Sequence, residues 1–236
     1  MHVLVTRPQG QQQALVEALQ RLGLQVSHQA ALRIEALEAD AVTRQRVMNL
    51  DQYDVVFVVS RNAARFGISL LQDYWPQWPQ ELQWIAVGDA TATLLQQAGL
   101  APLCPAAGFN SEAVLALPAL AEMRGRRVLI LRGDQGRELF ADTLRTRGAE
   151  VDALNLYQRR CNKGFCWPEQ AVDIVLVTSV ESWQCLLEVC AVPPSTLVIA
   201  GAERIADEVR GSGHQRVLAS ASPRDEDMLK VVRESL

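Results

Sequence analysis

The sequence predicts an α/β protein with two domains, each built on a parallel β-sheet flanked by helices. Short apolar runs alternate with segments that carry apolar residues at helical spacing, and a parallel connection needs a crossover long enough for a helix. Part of this pattern occurs twice. Residues 3–26 align without a gap with residues 128–151, and residues 54–60 align without a gap with residues 173–179. The chain is therefore predicted to contain an internal duplication.

The order of the repeats predicts how the two domains share the chain. A third, weaker match pairs residues 85–88 with residues 198–201. The copies do not follow one another head to tail, so one domain is expected to be inserted into the other. At 236 residues the chain is long enough for two compact domains with separate cores. The predicted boundaries are 1–36 with 168–236 for the first domain, 37–160 for the inserted second domain, and 161–167 for a linker.

The first domain opens the chain. Residues 3–6 form a short apolar run, as expected for a strand buried on both faces. An apolar stripe at helical spacing predicts a helix over residues 11–22. Gly23 can take the left-handed conformation that ends a helix, and residues 24–30 read as the next strand. Residues 33–53 are expected to carry the chain into the second domain, with a helix near residues 41–49.

The inserted domain repeats the alternation of strand and helix. Its predicted strands are 54–59, 84–87, a short one near 102–104, 128–131 and 151–157. Its predicted helices begin at Ser60, after Gly88 and at Ser111, and Pro76 ends the first of them because proline cannot continue the hydrogen-bond ladder. The third of these helices is predicted to cover the whole segment SEAVLALPAL.

The remainder of the chain returns to the first domain. The predicted strands are 174–177, 197–200 and 216–219, and the predicted helices are 181–189, 202–209 and 225–234. Each domain thus has about five strands, as in a flavodoxin-like fold.

Composition excludes several classes of protein. The formal net charge of −4 argues against a broad surface for a phosphate backbone. No apolar stretch reaches the length of a membrane span, and no basic segment with a long apolar run opens the sequence, so a cytoplasmic protein is expected. The five cysteines form an odd number and favour a reducing compartment.

The sequence carries no common signature of a metal or nucleotide site. The spacings of Cys161 with Cys166 and of Cys185 with Cys190 are wider than those of most zinc sites, and histidines are not nearby, so no metal is predicted. Neither the dinucleotide fingerprint nor a P-loop occurs. The loop RGDQGRE after the strand at 128–131 is either a tight turn or a ligand contact.

Small polar residues recur where a strand ends and a helix begins. They include Ser60, Thr91, Ser111 and Ser179. Each alone is explained as a helix N-cap. Together they favour a second interpretation, because open α/β sheets bind ligands at the carboxyl ends of their strands and helix N-termini offer N–H donors to anions.

An ordered set of motifs resembles the uroporphyrinogen-III synthase family. The motifs are VLVTRP, DVVFVVSRNA, AVGDATATLLQQAG, SEAVL, VLILRGDQGRELFADTLRTRGAEVDALNLYQR and DIVLVTSVES, and together they extend over nearly the whole chain. The resemblance implies two flavodoxin-like domains joined by a two-stranded linker, with a cleft for the linear tetrapyrrole hydroxymethylbilane. It also implies a cyclising hydro-lyase that inverts ring D, needs no cofactor, and acts in haem, sirohaem and cobalamin synthesis.

The resemblance also suggests residues for the site. Tyr157 matches the linker tyrosine and is the predicted catalytic residue. The predicted substrate-binding residues are Arg7, Ser60, Arg61, Asn62, Gly88, Thr91, Ser111, Arg132, Gly133 and Ser179. The chain departs from the family pattern at Arg61 and Val180, where proline is common, and at Glu203-Arg204, where a threonine is expected.

Two functions are compatible with these residues. The first is the synthase, acting as a monomer that receives its substrate by transient hand-over from the enzyme that makes hydroxymethylbilane, with no nucleic acid or membrane as partner. The second is a non-catalytic two-domain binding or sensor protein for a small anionic ligand, for which paired α/β domains are equally suitable.

Overall fold

The computed structural model describes residues 1–106, 108, 110–136 and 138–236. They divide into two compact units, the first comprising Met1–Ile34 and Arg159–Leu236 and the second comprising Glu35–Gln158. The described strands are β1 (His2–Val5), β2 (Gln25–His28), β3 (Leu32–Ala36), β4 (Val55–Val58), β5 (Gln83–Ala86), β6 (Arg127–Gly133), β7 (Glu150–Cys161), β8 (Ile174–Val177), β9 (Leu197–Ala200) and β10 (Val217–Ala219). The described helices are α1 (Gln13–Arg21), α2 (Ala41–Met48), α3 (Arg61–Gln72), α4 (Asp89–Gln97), α5 (Ser111–Leu115), α6 (Leu139–Thr146), α7 (Val180–Val189), α8 (Glu203–Gly211) and α9 (Asp225–Glu234).

The first unit is a parallel sheet covered on both faces. Its strand order is β2-β1-β8-β9-β10, and every neighbouring pair is parallel. This is the flavodoxin-like order in which the second strand lies at one edge. Side chains alternate between the faces, since Val3 and Val5 pack with α1 and α9 while Leu4 packs with the cluster that contains Trp183 of α7 and Ile205 of α8.

The second unit repeats this order from a different starting point. Its sheet runs β3-β7-β6-β4-β5, with parallel pairing from β7 through β5 and a single parallel bridge between Ile85 and Leu103. In the alignment of the repeats, β6 and β7 correspond to β1 and β2, and β4 and β5 correspond to β8 and β9. The second unit is therefore a circular permutation of the first, and the predicted duplication is evident in the order of the strands.

An equivalent aspartate fastens the amino ends of the strands in each unit. The backbone N–H of Arg127 donates to Asp54 Oδ2 at 2.7 Å, and the backbone N–H of His2 donates to Asp173 Oδ2 at the same distance. The guanidinium of Arg126 also donates to Asp54 at 3.0 Å. Burial alone would raise the pKa of Asp54, but these hydrogen bonds and the nearby arginines hold it below its ordinary value.

Two predicted elements of the second unit are shorter than expected. The helix predicted over SEAVLALPAL stops at Leu115, and a 3₁₀ turn follows at Pro118–Leu120. Leu117 precedes a proline and is extended, with ψ of 133°, because the proline ring disfavours helical backbone in the residue before it. The strand predicted near 102–104 amounts to the single bridge at Leu103.

The strand β7 is longer than predicted and changes the boundaries of the units. It continues to Cys161 and so crosses the boundary between the units at Gln158 and Arg159. Its hydrogen-bonded neighbour β3 crosses the other boundary, at Ile34 and Glu35. Residues 161–167 were expected to form a linker. Phe165 is instead buried in the core of the first unit, so this segment packs with that unit.

The extension of β7 ends at a cysteine that is not a free thiol, although the odd number of cysteines favours a reducing compartment. Cys161, the last residue of β7, forms a disulfide with Cys185 of α7, and their Cα atoms lie 5.0 Å apart. The guanidinium of Arg159 contacts Glu181 of the same helix at 3.4 Å. Two side chains of the strand thus attach it to α7 within the first unit.

Membrane-spanning helices and metal-binding clusters are both absent from the described residues. No described helix is long and apolar enough to cross a membrane. Within the same part of the chain, no group of three or more His, Cys, Asp or Glu side chains is arranged to hold a metal ion.

Candidate functional site

The carboxyl ends of four parallel strands form one edge of the second sheet. β4 is followed by Ser60, β5 by Gly88, and β6 ends at Gly133, while β7 passes this edge at Tyr157. Tyr157 is the register partner of Gly133, after an irregularity between Arg132 and Gly133. The sheet therefore brings the predicted catalytic residue beside two predicted substrate-binding residues.

Tyr157 is held on several sides within the second unit. Only 3% of the residue is exposed. Its ring stacks on Phe66 of α3, with centroids 5.6 Å apart. A Cβ atom at Gly133 would lie 2.8 Å from Cε2 and Cζ of the ring, so only glycine fits beneath it. The phenol oxygen lies 3.1 Å from Ser60 Oγ.

Ser60 has two hydrogen-bonding roles. It is the N-cap of α3, with extended backbone, and its Oγ accepts the backbone N–H of Ala63 at 3.0 Å. The same oxygen contacts Tyr157, as described above. The predicted N-cap is confirmed, and the contact between the hydroxyls connects the start of α3 to β7.

The other predicted residues at the start of α3 lie on its first turn. Arg61 is the first residue of the helix and is exposed, and Asn62 follows it with partial burial. Arg61 replaces the proline of the family pattern. Its guanidinium adds a positive charge at a helix N-terminus, where the exposed N–H groups already favour an anion.

Gly88 and Thr91 begin α4. Gly88 is the buried N-cap residue, with φ of 180°, and its carbonyl accepts the backbone N–H of Thr91 at 3.0 Å. Thr91 is only 3% exposed. Ser111 is the first residue of α5, but the N-cap is Asn110, whose Oδ1 accepts the N–H of Ala113 at 2.9 Å.

Arg132 lies on the same edge and is fixed by two neighbours. Its Nε donates to Asn155 Oδ1 at 3.0 Å, and Nη1 donates to Glu138 Oε1 at 2.7 Å. Gly136 lets the loop approach closely, since a Cβ there would be 2.6 Å from Arg132 Cδ. The two bonds use two of the five N–H donors of the guanidinium.

Two predicted residues belong to the first unit. Arg7 forms an ion pair with Asp225 and donates to the carbonyl of Pro223 at 2.6 Å, so it joins the end of β1 to the start of α9. Ser179 is the N-cap of α7, accepts the N–H of Ser182 at 3.0 Å, and lies 2.7 Å from the Ser182 hydroxyl. Arg7 and Ser179 thus lie at the carboxyl edge of the first sheet, whereas Ser60 and Tyr157 lie at the carboxyl edge of the second.

Two residues of this edge were missed in the sequence. Phe66 stacks on Tyr157, and Asn155 holds Arg132. Asn155 is a polar residue between two leucines of a strand, which was a readable signal, but the register irregularity places it opposite Arg132 while Tyr157 lies opposite Gly133. Phe66 resembles any other apolar residue of a helix and gives no such signal.

Comparison with known proteins identifies the family. A family model described as uroporphyrinogen-III synthase HemD matches residues 13–230. The uroporphyrinogen-III synthase of Escherichia coli (strain K12) is 35% identical over 191 residues, which cover 78% of each chain. The enzyme of that name from Salmonella typhimurium is 36% identical over 192 residues, again with 78% of each chain covered.

Solved structures of more distant sequence share the fold. The uroporphyrinogen-III synthetase of Helicobacter pylori matches with a TM-score of 0.66 and 13% identity, covering 100% of this chain and 99% of that one. A mutant uroporphyrinogen III synthase from Thermus thermophilus matches with a TM-score of 0.65 and 18% identity, covering 100% and 98%. At these identities the structural matches show the shared fold alone. The family model and the two bacterial relatives show the family. This chain belongs to the uroporphyrinogen-III synthase family.

Proposed function

We propose that the chain cyclises hydroxymethylbilane with inversion of ring D, giving uroporphyrinogen III and water. Family membership over residues 13–230 is the observation that carries this proposal. The arrangement around Tyr157 gives it a chemical basis, because a phenol at the carboxyl edge of a parallel sheet is well placed for a ligand of such folds. A binding or sensor protein is not favoured by any of these relatives.

Binding is distributed over several weak contacts. The substrate carries acetate and propionate carboxylates, which suit helix N-termini, hydroxyls and separate arginines. The proposed contacts in the second unit are Arg61, Asn62, Gly88, Thr91, Ser111 and Arg132, and those in the first unit are Arg7 and Ser179. Gly133 contributes by making room for the Tyr157 ring. Arg7 and Arg132 already pair with Asp225 and Glu138, so no single arginine is expected to dominate binding.

Tyr157 acts as a general acid in the first step. The bond between carbon and the hydroxyl oxygen of the hydroxymethyl group breaks, and the oxygen leaves as water with the phenol proton. The remaining methylene cation is conjugated with its pyrrole and is attacked by the substituted carbon of ring D, which gives a spiro intermediate. Fragmentation and closure at the unsubstituted carbon of ring D follow, and the proton released there balances the proton that Tyr157 donated.

The main task of the protein is to hold the two terminal rings in the arrangement that leads to inversion. Closure without inversion occurs spontaneously, so the enzyme must favour one attack over another, which is a matter of orientation. We further propose that the enzyme works without a cofactor, as a cytoplasmic monomer, and that it receives hydroxymethylbilane by transient hand-over from the enzyme that produces it. In the cytoplasm, glutathione and other thiols would favour reduction of the disulfide between Cys161 and Cys185.

Turnover distinguishes an enzyme from a binding protein. Hydroxymethylbilane, generated enzymatically, is supplied in large excess over the protein, and its loss is followed beyond the spontaneous rate. An enzyme accelerates the loss of many substrate molecules per protein molecule. If the loss stays at the spontaneous rate, or if the protein only slows it in proportion to its concentration, the proposal is wrong and a binding function takes its place.

A further inference from the structure

We infer that Ser60 is a positioning residue, which acts on the reaction through Tyr157 rather than by holding a carboxylate of the substrate. This inference rests on the proposed function. Its observation is the 3.1 Å contact between Ser60 Oγ and the Tyr157 hydroxyl, in a serine that already accepts the N–H of Ala63 at 3.0 Å. The serine that the sequence assigns to the substrate is thus occupied on two sides within the protein.

The direction of the contact follows from the hydrogens available. A serine hydroxyl has one proton and two lone pairs, and one lone pair accepts the N–H of Ala63. If Ser60 donates its proton to the Tyr157 oxygen, the phenol proton remains free for the departing hydroxyl of the substrate. The opposite direction would direct the phenol proton to Ser60. An acid role for Tyr157 therefore requires Ser60 to be the donor.

This arrangement stabilises the transition state more than the ground state. As the bond to the departing oxygen breaks, the phenol proton moves to that oxygen and negative charge develops on Tyr157. The hydrogen bond from Ser60 then becomes charge-assisted and strengthens. Ser60 itself is held by an N–H of the first turn of α3, where the helix favours negative charge. An interaction that strengthens during the reaction raises kcat and leaves substrate binding unchanged.

The duplicated first unit shows that the fold does not require this pair. Ser179 is the equivalent of Ser60, and Ser182 occupies the position of Ala63. There the capping serine has Ser182 as its hydroxyl partner at 2.7 Å. In the second unit Ala63 has no hydroxyl, and Tyr157 takes its place as the partner of Ser60. The capping role is common to both units, whereas the contact with tyrosine belongs to the second.

The geometry of the ring supports a fixed position for the phenol oxygen. Phe66 stacks on one side of the ring, and the backbone of Gly133 approaches so closely that an added Cβ would lie 2.8 Å from it. Within this enclosure the hydroxyl of Ser60 is the described polar contact of the phenol. Removing it would let the phenol proton turn away from the substrate without moving the ring.

A double-mutant cycle tests the inference. The variants are Ser60→Ala, Tyr157→Phe and the double variant, and kcat and KM are measured with hydroxymethylbilane. Ser60→Ala is expected to lower kcat about tenfold and leave KM unchanged. A hydrogen bond to a charged group is stronger than a neutral one by an energy that corresponds to roughly a tenfold change in rate. The double variant should be no slower than Tyr157→Phe alone. Independent, multiplied effects or a raised KM for Ser60→Ala would overturn the inference.

Matched variants separate positioning from helix capping. Asp40→Ala removes the N-cap of α2, which accepts the N–H of Thr43 at 2.7 Å in the same unit, and should lower stability comparably while keeping full activity. Ser60→Gly removes the hydroxyl at a smaller cost to capping and should show the same loss of kcat even if Ser60→Ala folds poorly. Ser60→Thr keeps the hydroxyl and should recover most of the activity. If Ser60→Gly retains wild-type kcat, the inference is wrong while the proposed function stands, whereas a wild-type chain that makes only the uninverted isomer overturns both.

Discussion

Gly133→Ala tests whether the packing of the Tyr157 ring sets both the stability and the activity of the second unit. The added methyl group would lie 2.8 Å from Cε2 and Cζ of Tyr157 and 3.2 Å from its oxygen. These distances are well inside van der Waals contact, and the ring is only 3% exposed and is stacked on Phe66. The ring must therefore shift, and its hydroxyl must move relative to Ser60.

The expected cost is that of overpacking a filled interior. Such substitutions usually lower the free energy of unfolding by about 1–3 kcal/mol. Chemical denaturation measures this loss, and turnover of hydroxymethylbilane measures the accompanying loss of activity. Gly211→Ala is the matched control, because a Cβ at Gly211 meets nothing within 4 Å. The control should keep wild-type activity and wild-type stability or slightly more.

Repeating Gly133→Ala in a second variant shows whether the Tyr157 ring causes the loss of stability. In a Tyr157→Leu variant the atoms that meet the added methyl group are absent, so Gly133→Ala should cost much less free energy of unfolding there. A penalty of the same size in both backgrounds would place the strain elsewhere and refute the reasoning. Wild-type stability and activity of Gly133→Ala would refute it more simply.

Three further predictions address the acid, the disulfide and the hydrogen bonds of Asp54. Tyr157→Phe should lower kcat within the roughly 10²- to 10⁴-fold range of acid–base assistance and still give the type III isomer, and a wild-type kcat would exclude the acid role. Reduction of the disulfide between Cys161 and Cys185 should lower the free energy of unfolding of the first unit by about 3.5 kcal/mol, because the two residues are 24 apart and the loop that they close becomes free in the unfolded state. Denaturation with and without dithiothreitol measures this loss, and an unchanged midpoint would contradict it. The pKa of Asp54 is below its ordinary 3.8 because hydrogen bonds outweigh burial, so its contribution to stability is present above about pH 5 and is lost as the pH falls below 3.8. Denaturation of Asp54→Asn should therefore differ most from wild type at neutral pH and differ less as the pH falls below 3.8, and a difference that grows on acidification would refute the assignment.

The duplication made much of the fold predictable. Residues 3–26 and 128–151 share a pattern of strand, helix and strand, and four neighbouring strands of each sheet have the same order once the permutation is allowed for. Ser60 and Ser179 could be recognised as N-caps because capping depends on the residue itself and its immediate neighbours. The end of α5 before Pro118 was missed, although the proline made it readable because it restricts the residue before it.

Contacts between residues distant in the chain were not predictable in the same way. Ser60 and Tyr157 are 97 residues apart, and their contact depends on the register of β7 beside β6, including the irregularity before Gly133. The disulfide depends on the length of β7, because only its extension brings Cys161 beside α7. Local sequence patterns predict neither the register nor the length of β7, since both are fixed by the packing of the whole sheet.

The pairing of Arg7 shows the same limitation at a charged residue. Its position after β1 suggested a contact with a substrate carboxylate. In the structure it pairs with Asp225, which is 218 residues away in the sequence. The sequence locates the charge at the carboxyl edge of the first sheet, but the partner depends on where α9 begins.

The central claim is that this chain directs the inversion of ring D, and the isomer of the product tests it most directly. Hydroxymethylbilane is generated enzymatically with and without the chain, the product is oxidised, and the type I and type III porphyrins are separated and quantified at early times. We expect predominantly type III in the presence of the chain and type I in its absence. Type I alone in both samples would contradict it.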